Sequence, residues 1–369
     1  MANRRTSAPK IIDGALLVVL MLAVTWVPHG AGQETGAGDL DLLEDMSVDH
    51  LVETIEALQA YGSRAFMLPS AGQVAAYLAS EFASMGLEVR EQEFAVGDVT
   101  SRNVIAWKNG TDPEGAHVLL GAHYDSENRL ATNLSLAESL PAPGADDDAS
   151  GMAVVMEAAR LISTTTTAAT VTFAAFGAEE RGYDGSGGLA GSAFFAETES
   201  LAGVDYRATI MIDMVGYRDG EANIATIITN ERDDDAAASI ADAAETRGLD
   251  LEIRTLLNED IDYSDHASFW AQGYPSLLIT EELDPDRETP VNPYYHTESD
   301  ILASLSLDQL TAVAEAVIGG ALSLACETPE PSQDSSDPLL IGVAVVGIVS
   351  SALIFMVVSR RRNSDYGKI

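Results

Sequence analysis

Cysteine is nearly absent from this chain of 369 residues: Cys326 is the only one. No internal disulfide can form, so the fold must be held by packing. Basic residues are scarce too, with 20 lysines and arginines against 58 aspartates and glutamates, a formal net charge of −38. A surface of that sign repels a phosphate backbone, which excludes nucleic acid as a partner. The excess acid reads first as a solvated surface suited to high salt, and second as a means of steering cationic groups. No internal repeat is found. What the chain does have is 46% hydrophobic content, enough for a full core, so one catalytic-sized domain with appendages is expected.

The ends carry their own signals. Residues 1–31 combine Arg4, Arg5 and Lys10 with an apolar stretch from Gly14 to Val27 and small residues at Gly30 to Gly32, the pattern of an export signal or an uncleaved signal anchor. An acidic lead-in covers 32–46. Residues 339–358 form an apolar run long enough for a transmembrane helix, followed by Arg360, Arg361 and Arg362 in a basic tail, 359–369. Those arginines are expected in the cytoplasm. This gives a single-pass cell-membrane protein whose main domain, 47–326, lies outside, joined by a Pro, Ser and acid-rich linker at 327–338.

Within the main domain, apolar runs of strand length alternate with helical patterns. Ser47 is placed as the N-cap of a helix carrying Leu51, Ile55 and Leu58, and a second amphipathic helix spans Ala71 to Met85. Then come HVLLGAH, a helix from Ser150 to Ile162, TVTFAAF, a helix near Leu189 to Ala196, and ATIMIDMV. ANIATII, a helix from Asp235 to Arg247, LEIRTLL, the short HASFWAQG helix, PSLLIT and a closing helix from Leu307 to Ala325 complete the series. Continuous apolar strands between helices predict an α/β fold with a buried, mixed or largely parallel sheet. Functional groups in such sheets gather where the strands end.

Several residues near those ends suit metal chemistry. PGADDDASG, Pro143 to Gly151, crowds three aspartates into a glycine-bounded loop, although Asp233 to Asp235 repeat the triplet elsewhere. His123 and Asp125, two apart at the end of a strand, share one face. Both could bind one ion, or the carboxylate could hold the imidazole. Glu179-Glu180 after a buried strand allows one ligand and one general base, but Glu281-Glu282 also follows a strand. Asp213 interrupts a run of Ile, Met and Val, where an unpaired charge is costly. His296 sits in a polar loop, NPYYHTESD. His266 reads as structural, or as support to a ligand.

Taken in order, GAHYDS, PGADDDASG, FGAEE, IDM, SDHASFWAQGYP and YYHT resemble the di-zinc exopeptidases of metallopeptidase family twenty-eight, which includes secreted bacterial aminopeptidases and, more distantly, glutamate carboxypeptidase and glutaminyl cyclase. The likeness covers roughly Val48 to Ala325. It implies a three-layer α/β/α sandwich with a mixed, largely parallel central sheet and two zinc ions. By position, His123 and Asp213 would hold one zinc, Glu180 and His296 the other, and Asp147 would bridge them. Glu179 would be the general base for a zinc-activated water, and Asp125 the partner of His123. A cis peptide bond is expected at Asp147-Asp148.

One departure stands out. Where the family continues EExGLxGS, this chain inserts Tyr183 to Gly188, which bears on substrate access. The activity implied is that of a membrane-anchored extracellular zinc aminopeptidase acting on peptides. Glutaminyl cyclase or carboxypeptidase activity on the same scaffold, and a non-catalytic receptor or adhesion ectodomain, are the alternatives; retention of every ligand position argues against the last.

Overall fold

Strands that are apolar on both faces are stable only between two covering layers, and the chain supplies both. The computed structural model describes residues 42–112, 115–230, 234–284 and 287–327. The expected signal at 1–31, the transmembrane helix at 339–358 and the basic tail lie outside the described residues, as does most of the lead-in and of the linker.

The strands are β1 (Glu88–Val96), β2 (Val99–Lys108), β3 (His117–His123), β4 (Val171–Phe176), β5 (Tyr206–Ile212), β6 (Ile224–Thr229), β7 (Glu252–Leu257) and β8 (Ser276–Thr280). They form one sheet in the order β1-β2-β4-β3-β5-β8-β6-β7. Neighbours β4, β3, β5 and β8 run parallel. Antiparallel pairs join β2 to β4 and β6 to β8, so the sheet is mixed and largely parallel.

The helices are α1 (Val48–Gln59), α2 (Pro69–Ser84), α3 (Leu134–Ser139), α4 (Ala149–Ser163), α5 (Ala190–Ala202), α6 (Asp234–Arg247), α7 (His266–Ala271) and α8 (Leu307–Cys326). Alternation along β3 shows how they are layered. Val118, Leu120 and Ala122 enter a core shared with Ile55 of α1, Leu78 of α2, Val155 of α4, Ile240 of α6 and Val317 of α8. Leu119 points the other way, into a core with Phe195 of α5 and Phe269 of α7. The result is a three-layer α/β/α sandwich. Each buried side chain of this kind contributes about 1.5–3 kcal/mol, and truncating Leu120 to alanine would cost about 2–5 kcal/mol.

Two elements do not announce themselves in the sequence. In the β1–β2 hairpin, β1 is mostly exposed and polar, and Gly97 at its turn (φ +57°) is the main local sign. Helix α3 is too short to show a periodicity. Among the described residues, only α8 is long and apolar enough to cross a membrane. Most of it is buried against the sheet and α6, so it is a core helix.

Candidate metal centre

The four parallel strands end on one edge of the sheet, and the chemistry sits there. His123 is the last residue of β3, Asp213 follows β5 directly, and Glu179 and Glu180 lie just beyond β4. The aspartate loop leads into α4, and its three members diverge. Asp148 caps α4, accepting from the N–H of Gly151 at 2.9 Å and of Met214 at 3.2 Å. Asp146 turns away and accepts from Gly216 N–H at 2.8 Å and the Asn292 amide at 2.7 Å. Asp147 alone lies between two histidines. The Asp147-Asp148 peptide bond is cis, at the position the resemblance indicates.

The loop is fixed from behind. The Asp300 carboxylate accepts from the N–H groups of Asp146 and Asp147 at 2.9 and 3.1 Å. Arg64, fully buried, donates to the carbonyls of Tyr124 at 2.7 Å, Gly144 at 2.9 Å and Pro143. One guanidinium therefore ties the segment after β3 to the aspartate loop. Three non-glycine residues with positive φ adjoin the site: Ala178 (+59°), Met214 (+54°) and His296 (+57°). Such conformations cost about 1–3 kcal/mol each and concentrate where geometry serves function.

Two groups of ligand-type atoms result, His123 with Asp147 and Asp213, and Glu180 with His296 and Glu127. His123 Nε2 lies 3.1 Å from Asp147 Oδ1 and 3.6 Å from Asp213 Oδ1. His296 Nε2 lies 3.0 Å from Asp147 Oδ2 and 2.9 Å from Glu180 Oε1. Asp147 thus presents one oxygen to each group. Glu179 Oε2 is 4.0 Å from His123 Nε2. The five expected metal residues are all brought together, with the expected base beside them.

Four of these atoms approach others closely without hydrogen-bonding. Asp147 Oδ2, Glu180 Oε1, Asp213 Oδ1 and His296 Nε2 are all buried and have no hydrogen-bond partner. Unpartnered buried polar atoms are expensive. Ligands 2.0–2.1 Å from a tetrahedral zinc are about 3.3 Å apart, which fits the 2.9–3.6 Å spread here. Imidazole and carboxylate donors also suit zinc chemically.

The electrostatics ask for cations. Burial works against charge on His296, yet Glu180 and Asp147 raise its pKa to about 11. His123 behaves alike: burial opposes, while Glu179, Asp125, Asp147 and Asp213 push it well above its ordinary value. Burial would raise Asp147, but the two histidines hold it well below the usual carboxylate range. Burial, then the Asp147 charge, lift Glu180 to about 8. Burial also raises Glu179 strongly, reinforced by Glu180, Asp265 and Asp213 and opposed by His123. A divalent ion would supply the positive charge that this cluster of carboxylates favours.

The other residues singled out by the sequence fall elsewhere. Asp125 is buried 3.7 Å from His123 Nδ1 and accepts from the N–H groups of Glu179 at 3.2 Å and Glu180 at 3.3 Å. The rival pair is resolved: Glu281 is buried facing Asp146, raised by burial and by Asp146, and Glu282 makes a 2.8 Å ion pair with Arg254. His266 is buried, with Nε2 2.8 Å from the Ile261 carbonyl, and is structural. In the second triplet, Asp234 and Asp235 begin α6, while Asp233 lies outside the described residues.

The insertion Tyr183 to Gly188 forms a tight turn. Arg181 bridges to Gly187, Gly182 N–H donates to the Ser186 carbonyl at 2.7 Å, and Gly188 N–H returns to the Glu180 carbonyl at 3.2 Å. Tyr183, the first residue of the insertion, lines a small cavity beside Glu180 together with Phe66, Met67 and Glu127. Sequence reasoning missed Arg64, which no local pattern marks, and Ser264, whose hydroxyl donates to Asp213 Oδ2 at 2.7 Å. It also missed Glu127, which continues the two-residue spacing of His123 and Asp125.

Comparison with known proteins agrees with this arrangement. A leucine aminopeptidase 1 from Sclerotinia sclerotiorum is 30% identical over 309 residues, covering 77% of this chain and 73% of its own length. A second one, from Uncinocarpus reesii, is 34% identical over 228 residues, but the match spans only about half of that protein, 51%, and 56% of this chain. In fold, a zinc aminopeptidase from Bacillus subtilis superposes with a TM-score of 0.62 at 19% identity, covering 78% of this chain and 98% of that one. The sequence profile of Peptidase family M28 matches residues 103–320, more than half of the chain and every candidate ligand: this protein belongs to Peptidase family M28.

Proposed function

We propose that this protein is a zinc-dependent aminopeptidase that removes N-terminal residues from peptides, using two zinc ions at the edge of the sheet. The observation that carries the reading is Asp147, whose two oxygens face separate histidines at 3.1 and 3.0 Å. In this reading His123 and Asp213 hold one ion, Glu180 and His296 the other, and Asp147 bridges. Bound there, zinc would act as a Lewis acid on the scissile carbonyl and lower the pKa of water.

The chain's own residues supply the rest. Glu179 is near His123 yet in neither ligand group, so its carboxylate is available to take a proton from water and hand it to the leaving amine. Burial favours its protonated form, which suits the second transfer, and bound cations would favour the ionised form needed for the first. Asp125 holds the Glu179-Glu180 backbone in place. The acidic balance of the protein, −38 overall, favours a substrate's ammonium end over its carboxylate end.

The sequence supports placing this activity at the cell surface. The apolar run 339–358 followed by three arginines fits a C-terminal anchor with the peptidase outside and the tail in the cytoplasm, and 1–31 fits an export signal. The reading is tested by incubating the zinc-loaded protein with peptides bearing free or acetylated N-termini and following the products by mass spectrometry. Stepwise loss of N-terminal residues from the free peptides alone is expected. Pyroglutamate formation, C-terminal loss or internal cleavage would overturn it.

A further inference from the structure

His123 has Asp125 behind it in both the sequence and the fold, but the sequence offers no such partner for His296. The structure provides one. Oε1 of Glu127 lies 3.2 Å from Nδ1 of His296, while Nε2 of the same ring faces Asp147 and Glu180 at 3.0 and 2.9 Å. The two ring nitrogens address different partners. A neutral imidazole that offers one nitrogen to a metal carries its hydrogen on the other, which then needs an acceptor.

Glu127 is held where it can be that acceptor. Its neighbour Ser126 donates to the Ala142 carbonyl at 2.7 Å and accepts from Arg64 N–H at 3.1 Å. On the other side, the Asn128 amide donates to Pro141 O at 2.7 Å, and its oxygen accepts from Leu130 N–H at 3.0 Å. Two residues on, Arg129 N–H donates to the carbonyl of His296 itself at 3.1 Å. Tyr295 stacks on the imidazole with ring centroids 3.7 Å apart. Ring and backbone are therefore fixed relative to one another, with the carboxylate 3.2 Å from Nδ1.

We infer that Glu127 is a positioning residue for the metal held by His296: its carboxylate accepts the Nδ1 hydrogen, fixes the tautomer that aims Nε2 at the ion, and raises the basicity of that nitrogen. The inference rests on the two-zinc reading above. Removing such a carboxylate weakens metal binding by about 10–100-fold in general. Glu127 is also near enough to Glu180 and His296 to be a ligand itself, and the experiment separates the two roles.

Full-length wild type, Glu127→Ala and Glu127→Gln are loaded with zinc, and the affinity of each bound ion is read by competition with a chelator, alongside zinc K-edge absorption and melting of the zinc-free forms. Expected in Glu127→Ala is a loss of about 10–100-fold for one zinc, an unchanged second zinc, an unchanged zinc-free melt and an unchanged number of ligand atoms per zinc. Glu127→Gln, whose amide oxygen still accepts the hydrogen but carries no charge to raise the basicity of Nε2, is expected to lose about 10-fold, the low end of that range. Wild-type affinity for both ions in Glu127→Ala overturns the inference, as does loss of an oxygen ligand from the absorption spectrum. If Glu127→Ala does not fold, Glu127→Gln decides, and unchanged affinity there overturns the inference equally. A wild-type protein holding a single zinc overturns the two-metal reading, and the control shows this before any variant is compared.

Discussion

Asp125 accepts the backbone N–H of Glu179 at 3.2 Å, joining the end of β3 to the residue placed to move protons. The same carboxylate takes the N–H of Glu180 at 3.3 Å and lies 3.7 Å from His123 Nδ1. One side chain thus touches the base, a ligand and a second ligand's backbone. In Asp125→Asn the amide can place an NH2 where an acceptor is required, and both glutamates shift. The expected outcome is a fall in kcat of about 10–100-fold, measured on an aminoacyl amide substrate, with the fold intact by circular dichroism.

Glu179→Gln separates proton transfer from metal binding. Because Glu179 belongs to neither ligand group, zinc content by elemental analysis should stay at the wild-type level. Turnover should fall by at least about 10²–10⁴-fold, the usual contribution of a general base. Loss of zinc together with activity would make Glu179 a ligand instead.

Zinc affinity should rise with pH. In the zinc-free site neighbouring carboxylates, against the effect of burial, push His296 up to about 11 and His123 well above its ordinary value, and burial lifts Glu180 to about 8. All three therefore favour their protonated forms at neutral pH, and zinc competes with those protons for the site. Each displaced proton makes the association constant rise by about tenfold per pH unit. Calorimetric zinc titrations between about pH 6 and about pH 8, in buffers of differing ionisation enthalpy, should show net proton release and stronger binding at the higher pH. A flat profile would mean the histidines are already neutral.

Arg64 is buried and donates to three main-chain carbonyls on either side of the site. Arg64→Met fills much of the space but leaves those acceptors without donors and removes a cation from among Asp300, Asp147, Asp125 and Asp148. Breaking a buried charged network of this kind costs about 3–5 kcal/mol. Urea unfolding should show a lower midpoint with an unchanged slope.

The sequence made the architecture legible because it follows from short-range rules, whereas the five ligand candidates were singled out only by the ordered motifs of the family resemblance. Apolar runs of strand length such as HVLLGAH favour buried strands, and polar residues at their C-terminal ends share one edge of a parallel sheet. It left Glu179-Glu180 and Glu281-Glu282 indistinguishable, since both pairs follow strands. What separates them is which oxygens meet histidines and which meet Asp146 or Arg254. Arg64 and Asp300 could not be read at all, because their roles depend on loops far apart in the chain. Glu127 was within reach of the two-residue spacing, but β3 ends at His123, and beyond that point periodicity no longer says where a side chain lies.

Two ions sharing Asp147 are the centre of the proposed chemistry, and anomalous diffraction at the zinc edge from crystals of the zinc-loaded protein tests this directly. Two peaks are expected, one contacting His123 and Asp213, the other Glu180 and His296, with an Asp147 oxygen on each. A single peak, or two peaks of which only one touches Asp147, would contradict the account.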